Sequence, residues 1–412
     1  YTAFNKAIVE EGVIRFMGTP IQCKTMHALA YQYVRPELPI KTFSYKCIEE
    51  KISYSEKRRI IDVIDNFYVS SSTCMNDYFD KQFEKHPRSA YMIKLAEKYV
   101  TGMAEGTINP TFNFLLKSLH LMMVEETVTI KTDIIILDEI NDITAVFLEI
   151  FKLVDAPKKL GLGETNQAIY EFLNLVDGFE VLKDVAVTKR FTQSYRCSED
   201  VAQRIENKMR KVMYPEFRFT GTDKPVTNGK TLYCTLTNAA IVDMIQQRLY
   251  ENKSFTLLRK PADIFAAPLA VLSASQGKRP YQTKFEFLVD VFEEYKSQNE
   301  HKTFFKFLLN EVDDDEISNA VRLLQRLNTE NISLYAVYNR AKEAVPDKDY
   351  TISTVFTSKG LEYETVYISD DLNRKFSLAC NGELTDTDAL TIIRCYYVAC
   401  SRCGVNLHNA SL

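Results

Sequence analysis

Four apolar residues, Ile134, Ile135, Ile136 and Leu137, run straight into a pair of acids, Asp138 and Glu139, in the stretch DIIILDEINDI. An apolar run this short and this rich in β-branched residues predicts a central parallel strand covered on both faces. Open α/β sheets bind ligands just beyond the carboxyl ends of their strands. Acids in that place suggest a hydrated magnesium ion and a phosphate substrate. The bland alternative for this strand taken alone is a buried strand ending in a solvated turn, and the rest of the chain has to decide.

A chain of 412 residues is too long for one ordinary core and predicts two or three domains. With 46% hydrophobic and 26% charged residues it reads as globular, and nothing in it points to a disordered or fibrous class. The formal charge of −4 gives no broad basic field, so nucleic-acid binding would need a local channel. No stretch has the length and apolarity of a membrane span. The nearest, FNFLLKSLHLMMV from Phe112, is broken by Lys117, Ser118 and His120 and predicts a core helix. Nine cysteines, scattered and odd in number, suit reduced thiols in an intracellular compartment, cytoplasm or nucleus, rather than a secreted disulfide framework. Cys395, Cys400 and Cys403, with Cys380 upstream, superficially suit zinc or an iron–sulfur cluster. YYVACSRC reads more easily as an apolar strand or helix start carrying one important arginine.

Along the chain, residues 1–35 read strand, helix, strand, helix, and residues 36–128 read as a helical insertion. The α/β pattern returns over 129–186, with strands at 158–164 and near Val185. A second α/β unit starts over 187–260, with strands in TLYCTLT and SFTLLR. Residues 261–348 form another helical insertion, whose acidic run NEVDDDE reads as a solvated loop or helix start. Residues 349–412 restore two strands in DYTISTVF and YETVYISDD. The expectation is two α/β domains, each with a helical insertion.

These blocks, taken in order, resemble the UvrD-like superfamily 1 DNA helicases, and most closely their F-box DNA helicase branch. FNKAIVEE and CKTMHALAY resemble the first two single-strand-binding blocks, and LDEIND resembles the metal-binding block DExQD. GETNQAIYEF is similar to GDxxQxIYxF, TQSYR to NYR or SFR, TVFTSKGLEYETVYI to THxxKGLEF, and YVACSR to YVAxTR. The resemblance covers nearly the whole chain and implies two RecA-like parallel-sheet domains with ATP and Mg2+ as cofactors. It implies movement along single-stranded DNA, or at a single/double-strand junction, with 3′ to 5′ polarity.

Residue by residue, the resemblance implies that Asp138 holds Mg2+ through water, Glu139 activates the attacking water and Gln167 senses the γ-phosphate. Arg196 and Arg402 would close from the second domain onto the nucleotide as arginine fingers, and hydrolysis would relax that closure. Taken singly, each arginine reads equally as a salt-bridge partner. Phe4, Tyr170 and Phe172 fall where the family stacks rings on bases, although each has a good core role. Asn5, Lys6, Thr25 and His27 fall at phosphate or sugar contacts. Thr354, Lys359, Gly360 and Glu362 would link the second domain to DNA and nucleotide together.

Several family features are replaced. The phosphate loop GxxxxGK[ST] is expected immediately before Tyr1. Gly229-Lys230-Thr231 is not it, because Lys224 stands where that loop needs glycine and the segment opens a strand. Asn141 stands for the glutamine of DExQD, Glu164 for the aspartate of GDxxQ and Phe356 for the histidine of THxxKG. Leu173 and Leu236 stand where relatives carry arginine. Two readings of different class follow: an ATP-driven translocase on single-stranded DNA, and an ATPase-silent relative acting as a DNA-binding or protein-binding subunit. A nuclease module has no carboxylate cluster to support it.

Overall fold

In the computed structural model, which describes residues 1–3, 6–170, 175–297, 303–312 and 314–412, the apolar run is an internal strand of a four-stranded parallel sheet. The strands of the first part of the chain are β1 (Thr2–Ala3), β2 (Lys24–Thr25), β3 (Ile134–Leu137), β4 (Ile143–Thr144), β5 (Lys158–Gly161) and β6 (Leu175–Val176). The parallel sheet has the order β2-β1-β3-β5, while β4 and β6 form a separate antiparallel pair. Ile135 and Leu137 are buried among Leu115, Leu119 and Met123 of the helix Phe112–Val124 and Val146, Phe147 and Ile150 of the helix Ala145–Leu153. The expected cover on both faces is not found. Ile134 is 45% exposed, because register sets Ile134 and Ile136 beside Lys158 and Leu160 of β5, whose residues are all exposed.

Contacts divide the chain into two units, Tyr1–Thr188 and Lys189–Leu412. In the first, the helix Met26–Val34 stops where Arg35 takes the left-handed conformation just before Pro36. The helices Tyr54–Val69, Met75–Phe83 and Ser89–Ala104 then build a core of their own around Phe67, Phe79, Met92 and Tyr99. Phe114, on the helix Phe112–Val124, packs against both this core and that of the sheet. No strand forms near Val185. That segment is a turn after the helix Gly178–Leu182, with the Val185 and Ala186 N–H groups both donating to the Leu182 carbonyl and Val185 82% exposed. Among the described residues no strand pairs with its β-branched residues.

The second unit contains β7 (Gln193–Ser198), β8 (Thr220–Thr222), β9 (Thr231–Thr235), β10 (Thr256–Leu257), β11 (Tyr350–Thr354), β12 (Tyr363–Ile368) and β13 (Cys403–His408). The last five form a parallel sheet of order β10-β11-β9-β12-β13, and β7 pairs with β8. Gly229-Lys230-Thr231 does open a strand, β9. Between β10 and β11 the elements among the described residues are all helices, from Pro261–Ile264 to Leu334–Glu343. The acidic run ends one helix and caps the next, since the Asp314 carboxylate accepts the Glu316 and Ile317 N–H groups. Both units are thus α/β, with parallel sheets flanked by helices.

Candidate functional site

At the end of β3 the chain turns sharply, and buried anchors explain how. Ile140 is 1% exposed; its N–H donates to the Leu162 carbonyl and its own carbonyl accepts the Gly178 N–H, both at 2.9 Å. A Cβ at Gly161 or Gly178 would lie 2.6 or 2.5 Å from the Ile140 side chain, so glycine at both positions lets this residue in. With Ile140 fixed, Glu139 takes a left-handed backbone with φ of 54°. That conformation costs a side-chain-bearing residue about 1–2 kcal/mol. The turn is closed by the Asp142 N–H on the Glu139 carbonyl at 2.9 Å and the Glu139 N–H on Asp138 Oδ1 at 3.0 Å. Asp138 Oδ2 accepts a short hydrogen bond from the Tyr1 hydroxyl. Burial pushes the Tyr1 phenol up, and the bond to Asp138 pushes it further.

The same turn is bound to the loop that follows β5. Asn141 is 1% exposed, and its Oδ1 accepts the Glu164 N–H at 2.9 Å. A Cβ at Gly163 would lie 2.2 Å from that oxygen. The Glu164 carboxylate in turn accepts a short hydrogen bond from Gln167 Nε2. Asp138, Glu139 and Gln167 are therefore connected through Asn141 and Glu164, two positions that depart from the family pattern. Asn141 and Glu164 have a structural part that the motif alone does not reveal. The GLGE sequence of 161–164, with two closely spaced glycines, was the available signal. Asp138 and Glu139 are hard oxygen donors, and Mg2+ characteristically takes one or two carboxylates together with waters and phosphate oxygens.

In the second unit, Arg196, Glu362 and Arg402 share a neighbourhood. Arg196 Nη1 donates to the Ser401 carbonyl at 3.0 Å, and its Nε lies 3.4 Å from Glu362 Oε2, an ion pair without hydrogen-bond alignment. The Ser194 hydroxyl supports the strand from within by accepting the Arg196 and Cys197 N–H groups, both at 3.2 Å. Arg402 is 2% exposed; its Nε donates to the Val398 carbonyl at 3.1 Å and its Nη2 to the Ser401 hydroxyl at 3.0 Å. Lys359 and Gly360 form the turn between the short helix Val355–Ser358 and β12, with Gly360 at a φ of 86° that favours glycine. Thr354, 7% exposed, caps that helix by accepting the Thr357 N–H at 3.3 Å.

Of the residues expected at nucleic acid in the first unit, Thr25 caps the helix Met26–Val34, its hydroxyl accepting the Ala28 N–H at 3.1 Å. His27 is half-buried, edge-on to Phe112 at 5.7 Å between ring centres. Burial lowers its pKa, opposed by a hydrogen bond with Asn113. Tyr170 is half-buried, and Lys6 opens the helix Lys6–Arg15. Phe4, Asn5 and Phe172 lie outside the described residues. All nine cysteines are outside disulfides; Cys395 and Cys400 are buried, and burial pushes the Cys234 and Cys403 thiols up to about 12. Among the described residues no group of three or more His, Cys, Asp or Glu is arranged to hold a metal ion. None of the described helices is long and apolar enough to cross a membrane.

No family model matches the chain. It is 22% identical to F-box DNA helicase 1 of Gallus gallus over an alignment of 420 residues. The match covers 90% of this chain and 40% of the relative, so the chain spans less than half the length of the protein it matches. The similarity is that of a distant, helicase-related protein.

Proposed function

We propose that the protein is an ATP-driven translocase on single-stranded DNA, moving 3′ to 5′. The observation that carries this reading is the connected turn at the ends of β3 and β5. There Asp138, the strained Glu139 and Gln167 are fixed in one hydrogen-bonded frame. Strain of this kind persists where the surroundings over-determine it, and it clusters at functional sites. In this reading Asp138 would hold Mg2+ through water, and the ion would supply charge neutralisation to the phosphates of the nucleotide. Glu139 would take a proton from the water that adds to the terminal phosphorus as the bond to the ADP leaving group breaks, and Gln167, held by Glu164, would sense that phosphate. Arg196 and Arg402 supply positive charge for the transition state, while Lys359, Gly360 and Glu362 answer to both nucleotide and DNA. Phe4, Tyr170 and Phe172 stack on bases, and Asn5, Lys6, Thr25, His27 and Thr354 contact the backbone. The similarity to a DNA helicase along most of the chain supports the same reading.

A second reading, an ATPase-silent subunit that binds DNA or a protein, is favoured by one observation: Arg402 is 2% exposed and its guanidinium bonds within its own unit. Phosphate release by the intact protein, with ATP and Mg2+ and with or without a single-stranded oligonucleotide, separates the two. Hydrolysis accelerated by the oligonucleotide is expected. Oligonucleotide binding without hydrolysis would leave the silent subunit.

A further inference from the structure

Tyr1 is built into the first unit more tightly than a residue at the start of a strand requires. Its ring lies 5.4 Å from that of Phe16, centre to centre and tilted by 57°. It also lies directly over Gly12 of the helix Lys6–Arg15, where a Cβ would come within 2.7 Å of Tyr1 Cε1. Glycine inside a helix weakens it relative to alanine, so this one has a packing reason. From that seat the phenol hydroxyl reaches across to β3 and donates to Asp138 Oδ2. The backbone reinforces the link, because the Asp138 N–H donates to the Thr2 carbonyl at 2.9 Å. One side chain thus touches the helix that Lys6 opens and the acid at the centre of the candidate site.

We propose that Tyr1 is a positioning residue that couples the strand-binding helix Lys6–Arg15 to Asp138, so that single-stranded DNA on that helix alters the hold of Asp138 on its divalent cation. The inference rests on the ATP-driven reading above. When the helix shifts on nucleic acid, the ring clasped at Gly12 and Phe16 moves with it, and the hydroxyl carries that shift to one oxygen of Asp138. The other oxygen stays on the Glu139 N–H.

The test uses the intact protein with Tyr1→Phe, which keeps the ring and removes only the hydroxyl, and Gly12→Ala, which keeps the hydroxyl and displaces the ring. Mn2+ binding in the presence of ADP is followed by electron paramagnetic resonance, with and without an oligothymidylate. In the parent the oligonucleotide changes the Mn2+ dissociation constant; in both variants that response is expected to be lost. The factor by which the oligonucleotide stimulates hydrolysis should fall roughly tenfold in Tyr1→Phe, the size of effect that one hydrogen bond to a charged acceptor carries. A parent that responds to DNA, together with a Tyr1→Phe variant that responds equally in both measurements, overturns the coupling and leaves the ATPase reading intact. A parent that binds neither Mn2+ nor ADP overturns both.

Discussion

Lys117 and His120, two of the residues that interrupt the apolar sequence of the helix Phe112–Val124, are each 2% exposed. Lys117 Nζ donates to the Ser70 and Ser72 carbonyls, each at 2.7 Å, and so closes the end of the helix Tyr54–Val69. Burial lowers the Lys117 pKa to about 8. Burial first, and then the neighbouring Lys117 charge, lowers that of His120 to about 4. A histidine whose folded pKa lies below its unfolded value of 6.5 is neutral in the fold. Between the two values the unfolded chain binds the extra proton, so stability is full above 6.5 and is lost as the pH falls toward 4. A shift of this size is worth roughly 3 kcal/mol at most. Melting curves from pH 7 to 4 should therefore show a falling transition for the first unit, and His120→Leu should flatten that slope. An unchanged slope would place the acid sensitivity elsewhere. The core helix was legible in the sequence, but the burial of its polar residues was not, because Ser70 and Ser72 are distant in sequence.

Element by element, the legible parts are those with local causes. The strand ending in acids at Asp138 was readable from its apolar run, and helix starts too have a local cause, in hydroxyl residues at strand ends. Ser198, Thr237 and Thr354 each accept an N–H group from the first turn of the helix they precede. Thr354→Val should cost about 1 kcal/mol in chemical unfolding, the usual value of such a cap, whereas Thr354→Ser should cost little. Equal stability of the valine and serine variants would show that the cap is dispensable. The apolar stretch near Val185 misled because alternating β-branched residues signal a strand only where a neighbouring strand exists. The candidate site was legible in Asp138 and Glu139 from one continuous block, LDEIND, and in Gln167 from a second, GETNQAIYEF. It was not legible in Tyr1, Ile140 or the Asn141–Glu164 link, which depend on elements brought together by the sheet.

At the scale of the whole molecule, the acids and Gln167 belong to the first α/β unit, and Arg196, Glu362 and Arg402 to the second. The net charge of −4 argues that any grip on DNA comes from stacking and a local channel, with no broad basic surface to supply it. The central claim is that the turn after β3 activates water for ATP hydrolysis. Its most direct test is Glu139→Gln in the intact protein, which keeps the size and turn of the side chain but removes its basicity. Nucleotide affinity and phosphate release are measured on the same preparation with saturating single-stranded DNA. Unchanged binding of ATP with turnover reduced to background is the predicted result. Phosphate release at the parent rate, from a variant that binds ATP normally, would contradict it.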